Sequence, residues 1–416
     1  MLSKRIVQFV LAVLLLPAFT LAQNTTSSMG GSVKTNTGEP LVGATVTVTH
    51  EPTGTIYRVQ SRSGGRFDVS NLNPGGPYSV EVSFINFANE KKTDIYLKLG
   101  DVYRVDFALA SKASNLGNVV VTGLRKTTDA SGKGGTETTV GRDKMANLPT
   151  VGRNIYDYLR AVPQAKLVNG TEGAISIAGQ NNRYNAFYVD GAINNDVFGL
   201  AASGTNGGQA SISPISIDAI DQFQVVISPY DAAQGHFVGG GINAITKGGT
   251  NRTEGSVYYF LQNQNLAGKT PTGLKEKATK LNNFSKKTYG FRVGGAFVKN
   301  KLFYFINVDL QRDIRPQPFD FNSYAGNTKD LTILNNLANT LRTNYGYEPG
   351  GFLDNTEEVK ADRIAARIDW NISDKHKLTL SNRYTKGERL NTSSSSTGTI
   401  NFYNNGFSFP TRSNST

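Results

Sequence analysis

The chain has 416 residues, 44 Lys and Arg against 32 Asp and Glu, a formal charge of +12 and no cysteine. That length accommodates two or more domains, and the missing thiols exclude disulfides, thiolate metal sites and a lipid-modified N-terminal Cys. The basic residues are dispersed, with Arg363 and Arg367 alternating with apolar neighbours. Without a basic stripe the charge argues against nucleic-acid binding and for attraction to anionic lipid headgroups or acidic substrates.

Lys4 and Arg5, an apolar run from Ile6 to Leu16 and the small-residue site Thr20-Leu21-Ala22 predict a secretory signal peptide over residues 1–22. No later stretch has eighteen consecutive apolar residues, so a membrane span further along must be a closed barrel, the other fold whose backbone is satisfied in lipid. The 18 Tyr and 22 Phe beside a single Trp favour β structure.

After a polar linker to about residue 30, short strands separated by turn signals are expected at Ala44–Thr49, Ile56–Val59, Arg66–Val69, Tyr78–Phe84 and Val102–Leu109. Spacing of about ten residues predicts a small β-sandwich over 23–112. His50 has no second ligand near it in sequence and reads as a surface turn residue, not a metal ligand.

The run Leu116-Gly117-Asn118-Val119-Val120-Val121-Thr122-Gly123 lies in a segment, 113–126, whose flanks are polar and Gly/Thr/Lys-rich. Two readings stay open: a terminal strand of a neighbouring sheet, or an extended segment that offers its main chain to a partner's sheet edge. Over 127–250 the pattern is α+β. Val151, Ile155, Leu159 and Val162 recur at helical spacing between Asn147 and Ala165, and Pro163 ends the element. Strands are expected at Ile175–Ile177, before the Asp190-Gly191 turn, at Phe223–Ile227 and at Ile242–Thr246. The triple glycine Gly239-Gly240-Gly241 lets backbone lie flat against a wall, as a close-fitting stopper requires. Asp218 and Asp221, three apart, read as solvated.

After Thr250 the period becomes two. Phe291, Val293, Gly295 and Phe297 oppose Gly290, Arg292, Gly294 and Ala296. Tyr304, Ile306, Val308 and Leu310 oppose Phe305, Asn307, Asp309 and Gln311. Ile364, Ala366, Ile368 and Trp370 oppose Arg363, Ala365, Arg367 and Asp369, and Leu378, Leu380 and Tyr384 oppose Lys377, Thr379, Ser381 and Arg383. Apolar outer faces, polar inner faces and aromatics near strand ends predict a transmembrane β-barrel. Tight turns at Asn300-Lys301 and Asn371–Lys375 alternate with long polar loops, 263–287 and 312–358, which a barrel would place outside. Five strands over 253–386 are too few to close a plugged barrel of about 22 strands. Residues 251–416 are therefore expected to be the first part of a truncated barrel, ending at Asn414-Ser415-Thr416 in another exterior loop.

No GxSxG, HExxH or GxxxxGK[ST] pattern occurs, so neither catalysis nor a cofactor is indicated. The segments ISIAGQ, FYVDGAI, AIDQFQVV and AQGHFVGGGINAITKGGTN resemble the plug signatures of TonB-dependent outer-membrane receptors. The longer stretch from Ser228 is similar to the Oar-like branch, relatives of the SusC-like glycan transporters. GEPLVGATVTV and GGRFDVSNLNPGGPYSVEVSFINF resemble carboxypeptidase regulatory-like domains, which often precede the plug in Bacteroidetes-type receptors.

The resemblance implies a Gram-negative, Bacteroidetes-like outer membrane with the sandwich and plug on its periplasmic side. It implies a TonB-type periplasmic energy-coupling protein contacting Val119, Val120, Val121, Thr122 and Gly123, and plug motifs at Asp190, Gly191, Gly239, Gly240, Gly241 and Asn243. Import of a glycan, peptide or other large ligand is expected, with a possible surface lipoprotein partner and no enzymatic step. The alternative is a structural or adhesive outer-membrane protein whose plug stays shut. Tyr258, Tyr259, Tyr345 and Tyr347 are placed either to stack on sugar rings or to form an interfacial girdle.

Overall fold

The computed structural model describes residues 25–112, 120–121, 137–148, 150, 152–168, 173–227, 235–269, 280, 283–326, 330–373 and 376–416. The expected signal peptide, Val119, Thr122, Gly123 and Val151 lie outside them. Among the described residues no helix is long and apolar enough to cross a membrane.

The first unit is a two-sheet sandwich of β1 (Ser27–Thr35), β2 (Thr45–His50), β3 (Thr55–Gln60), β4 (Arg66–Leu72), β5 (Gly75–Ser83), β6 (Glu90–Leu97), β7 (Val102–Arg104) and β8 (Phe107–Leu109). Alternation drives it: in β2 every second residue, Val46, Val48 and His50, is buried, and these meet Met29, Phe67, Val80, Ile95 and Phe107 in one core. One sheet runs β4-β1-β7 with β8 also on β1; the other runs β3-β2-β5-β6-β9, where β9 is Val120–Val121.

Three expectations change here. β1 starts at Ser27, inside the anticipated linker. β6 was not expected, because only Ile95 and Leu97 of its eight residues are buried. Val102–Leu109 splits in two at Val105-Asp106, where Val105 N donates to Gly30 O and the Asp106 carboxylate accepts from Ser32 N and its hydroxyl, both at 2.8 Å.

The second unit contains β10 (Glu137–Val140), α1 (Arg142–Asn147), α2 (Ile155–Leu159), β11 (Ala165–Leu167), β12 (Ile175–Ile177), β13 (Ala186–Val189), β14 (Ala192–Ile193), β15 (Ile220–Val226) and β16 (Gly241–Thr246). Its main sheet runs β10-β15-β16-β13-β14. Central β16 is antiparallel to β15, parallel to β13 and buried at every position, as its run of apolar and small residues requires. The helix expected across Asn147–Ala165 is confined to the five residues of α2. It begins where the Asn154 side chain accepts from Asp157 N, a local cap that the apolar spacing does not reveal. Ile155, Leu159 and Val162 nevertheless face the core.

The third unit is a six-stranded antiparallel sheet in sequence order: β17 (Glu254–Asn263), β18 (Ser285–Val298), β19 (Leu302–Pro318), β20 (Asp354–Asn371), β21 (Lys377–Asn391) and β22 (Phe407–Ser415). The sheet is open, ending at β17 and β22. The eighteen residues of β20 extend to about 60 Å, well beyond a hydrocarbon core of about 30 Å. Ile306, Ile364, Ile368, Trp370, Leu378 and Leu380 stay exposed on the outer face, whereas Asn307, Asp309, Arg363 and Arg383 on the inner face are buried beneath the plug.

The loops differ from expectation. β19 and β20 run on to Pro318 and from Asp354, and the connection between them holds α3 (Leu331–Tyr345). α3 is capped by Asp330, whose side chain accepts from Thr332 N at 2.8 Å, and ended by Gly346 at φ 63°. Asn414 and Ser415, expected in an exterior loop, belong instead to β22. Its sequence is polar, and its strand identity comes from pairing with β21 from Arg383↔Ser415 to Asn391↔Phe407.

Candidate functional site

The inner face of the wall and the plug meet through a chain of charged contacts that starts at a turn. Asp190 and Gly191 have φ of 50° and 81°, the left-handed pair that reverses a two-residue hairpin, here between β13 and β14. The turn aims the Asp190 carboxylate across the plug edge. Its oxygens accept from Thr246 N at 2.8 Å and Thr246 Oγ1 at 2.9 Å, and from the wall residue Arg383 at 2.8 Å. Arg367, on neighbouring β20, stands 3.9 Å from Asp190, donates to Thr246 O at 3.2 Å and is held flat by Asp369 at 2.9 Å. Two wall arginines thus converge on one plug carboxylate.

A second contact lies farther along the same strands. Arg363 pairs with Asp309 directly across β19 and β20, at 2.6 Å, and donates to Ser213 O of the plug. Thr385 donates to Pro214 O at 3.1 Å, and Arg389 to Ser211 Oγ at 2.9 Å. Ile212, inside this polar loop, packs on Val359 and Ala361. A Cβ on Gly387 would fall 2.0 Å from Ile212 Cδ1, so that glycine makes the room.

A third contact joins plug and first strand. Arg153 pairs with Asp218 at 2.6 Å and lies 3.7 Å from the Phe260 ring centroid, while Tyr258 donates to Asp309 at 2.9 Å. Asp221 pairs with Arg142. The two aspartates expected to be solvated are both in ion pairs, because the fold brings arginines from 65 and 79 residues away. Burial, with Arg292 adding repulsion, pushes the Lys247 ammonium down to about 8, while Lys247 donates to Asp218 O at 2.9 Å.

The triple glycine does not touch the wall. Added Cβ atoms at Gly239, Gly240 and Gly241 would meet Asn185, Ile177 and Phe237, all within the plug. Glycines that do lie on the wall are Gly248, whose added Cβ would stand 3.0 Å from Asp369 Oδ2, and Gly249, whose added Cβ would stand 2.4 Å from the carbonyl oxygens of both Gly295 and Tyr304. Asn243 is buried in the middle of β16, opposite Tyr188 and Gln224, as part of the plug's own sheet.

Val120 and Val121 pair in parallel with Lys91 and Lys92 of β6, joining the sandwich as its edge strand. The Asp190 contact was reachable from sequence only as a turn. Its partners Arg367 and Arg383 were visible as inward-facing, but nothing in a period of two says which inward residue lies opposite the plug.

Three family models match successive parts of the chain: a carboxypeptidase regulatory-like domain over residues 28–110, a TonB-dependent receptor plug domain over 130–242 and an outer membrane beta barrel domain over 245–324. These three domains in this order support a TonB-dependent receptor. The same findings support an outer-membrane location for the receptor. It is 26% identical over 313 residues to the TonB-dependent transporter Oar of Myxococcus xanthus, covering 71% of this chain and 27% of that protein. The receptor chain described here thus spans about a quarter of the length of the curated relative it matches.

Among solved structures it is similar to the outer membrane transporter YddB from Escherichia coli, with TM-score 0.43, 19% identity and coverage of 62% of this chain and 34% of that one. It is also similar to the siderophore receptor PirA from Acinetobacter baumannii, with TM-score 0.40, 20% identity and coverage of 63% and 32%.

Proposed function

We propose that the receptor imports a large external ligand, a glycan or a peptide, by energy-coupled displacement of its plug. In this reading residues 113–126 are the coupling segment, 127–250 the plug and 251–416 the first part of the barrel. The observation that carries it is the make-up of the plug–wall interface. Among the described residues the plug meets the wall mainly through ion pairs and hydrogen bonds around Asp190 and Ser211–Pro214 and through the Arg153 guanidinium over Phe260, with apolar contacts at Ile212, Phe305 and Ala365. Such groups are resolvated on separation, so the plug can leave without exposing a broad apolar face to water, unlike a cut through a hydrophobic core.

A TonB-type periplasmic protein would grip Val119–Gly123 by adding a strand of its own, since main-chain pairing tolerates the featureless valine run. Membership of the SusC-like branch, a Bacteroidetes-like host and a surface lipoprotein that delivers the ligand belong to the same proposal. Val120→Pro removes a main-chain donor and should abolish energy-dependent uptake of a labelled peptide and glycan mixture while leaving surface levels of the receptor unchanged. Uptake that persists in this variant would sink the proposal in favour of a static or adhesive outer-membrane protein.

A further inference from the structure

The sandwich is docked against the periplasmic underside of the other two units. On one side Gln224 of β15, 2% exposed, donates to Leu99 O at 2.9 Å. On the other, the β2–β3 turn reaches the short turns of the wall. Asn251 N donates to Pro52 O at 2.8 Å, and Asn371 Nδ2 donates to Thr55 Oγ1 at 3.0 Å. Gly54 lies so close to Asn300 that a Cβ on it would fall 2.0 Å from Asn300 Oδ1. Lys377 Nζ stands 3.7 Å from the Tyr57 ring centroid.

Behind Thr55 the hydroxyls continue inward, from Thr55 Oγ1 to Thr53 Oγ1 at 2.7 Å and from Thr53 Oγ1 to His50 Nδ1 at 2.7 Å. The first link has a direction. Asn371 Nδ2 also donates to Asn300 O at 3.1 Å, so turning the amide over would set two oxygens against each other, and Thr55 Oγ1 therefore accepts from Asn371.

We propose that the sandwich is a docked lid on the periplasmic mouth, and that the bond from Asn371 to Thr55 is its catch. The inference rests on the plug-displacement reading, because the plug moved toward the periplasm would have to pass the docked sandwich.

The test uses the receptor in outer-membrane vesicles with spin labels at Arg62→Cys and Lys301→Cys, these 416 residues holding no cysteine of their own. The undocked-to-docked ratio should rise roughly tenfold in Asn371→Leu, which removes the donor to Thr55 Oγ1. Distances that ignore Asn371→Leu would overturn the catch.

The lid is tested separately in planar bilayers by potassium chloride conductance under tension on a handle at Thr122. A receptor whose Thr55→Cys and Asn371→Cys thiols are joined by a bifunctional reagent should open at least about tenfold less often than the same receptor before bridging. Equal opening overturns the lid. A conductance that never rises, even in Asn371→Leu, overturns plug displacement and the lid with it.

Discussion

Asp190 of the plug and Arg383 of the wall meet at 2.8 Å across 193 residues of sequence, with side chains only 16% and 9% exposed. Removing one member of such a pair leaves the other buried and uncompensated, which costs about 3–5 kcal/mol. Asp190→Ala is therefore expected to loosen the plug by that order. Susceptibility of intact cells to a large antibiotic normally excluded by the outer membrane reads this directly. Unchanged susceptibility, with surface levels held constant, would show that the pair does not secure the plug.

Gly249 and Gly387 make contrasting predictions. An alanine Cβ at Gly249 meets two wall carbonyl oxygens at 2.4 Å, whereas at Gly387 it meets the flexible end of Ile212. Backbone cannot step aside as a side-chain tip can. Gly249→Ala should cost about 1–3 kcal/mol and Gly387→Ala clearly less. The order of their thermal midpoints in detergent checks this, and the reverse order would contradict the packing described.

Arg153 has both an ion pair with Asp218 and a ring beneath its guanidinium. A cation over an aromatic face contributes about 0.5–2 kcal/mol. Phe260→Leu keeps an apolar side chain and removes the ring, so a double-mutant cycle with Arg153→Met isolates the term. A coupling energy indistinguishable from zero would remove Arg153–Phe260 from the account of plug seating.

In the exterior connection, α3 depends on its ends. Asp330→Ala deletes the cap and should cost about 1 kcal/mol of local stability. Arg342→Ala, at an exposed and solvent-screened pair with Glu348, should change it by less than the loss of the cap does. Amide hydrogen exchange over residues 331–345 separates the two, and a larger loss in Arg342→Ala would assign the helix's stability to the wrong group.

The tyrosines show how far side-chain identity carries. Tyr345 and Tyr347 are exposed in the exterior connection and Tyr259 is exposed on β17, whereas Tyr258 is committed to Asp309 beneath the plug. Alternation along one strand separates Tyr258 from Tyr259, yet only the plug's position decides that Tyr258 belongs to the interface. His50 makes the same point more sharply. As a lone histidine at a turn it read as a surface residue, and it is 7% exposed at the foot of the lid.

By itself the sequence determined what depends on neighbours a few residues apart. Period-two alternation named the inner and outer faces of β18 to β21, glycine and Asp-Gly turns placed the reversals, and β12, β13, β15 and β16 of the plug were legible as short apolar runs, whereas β10, β11 and β14 were not. Tertiary structure alone decided what depends on opposition across space. It selected Arg367 and Arg383 to face Asp190, Gly249 rather than the triple glycine to touch the wall, polar β22 to be a strand, and Asn371 to close on Thr55. The physical reason is that backbone geometry fixes which side a residue points to, while the depth and rotation of one unit within another fix what it meets there.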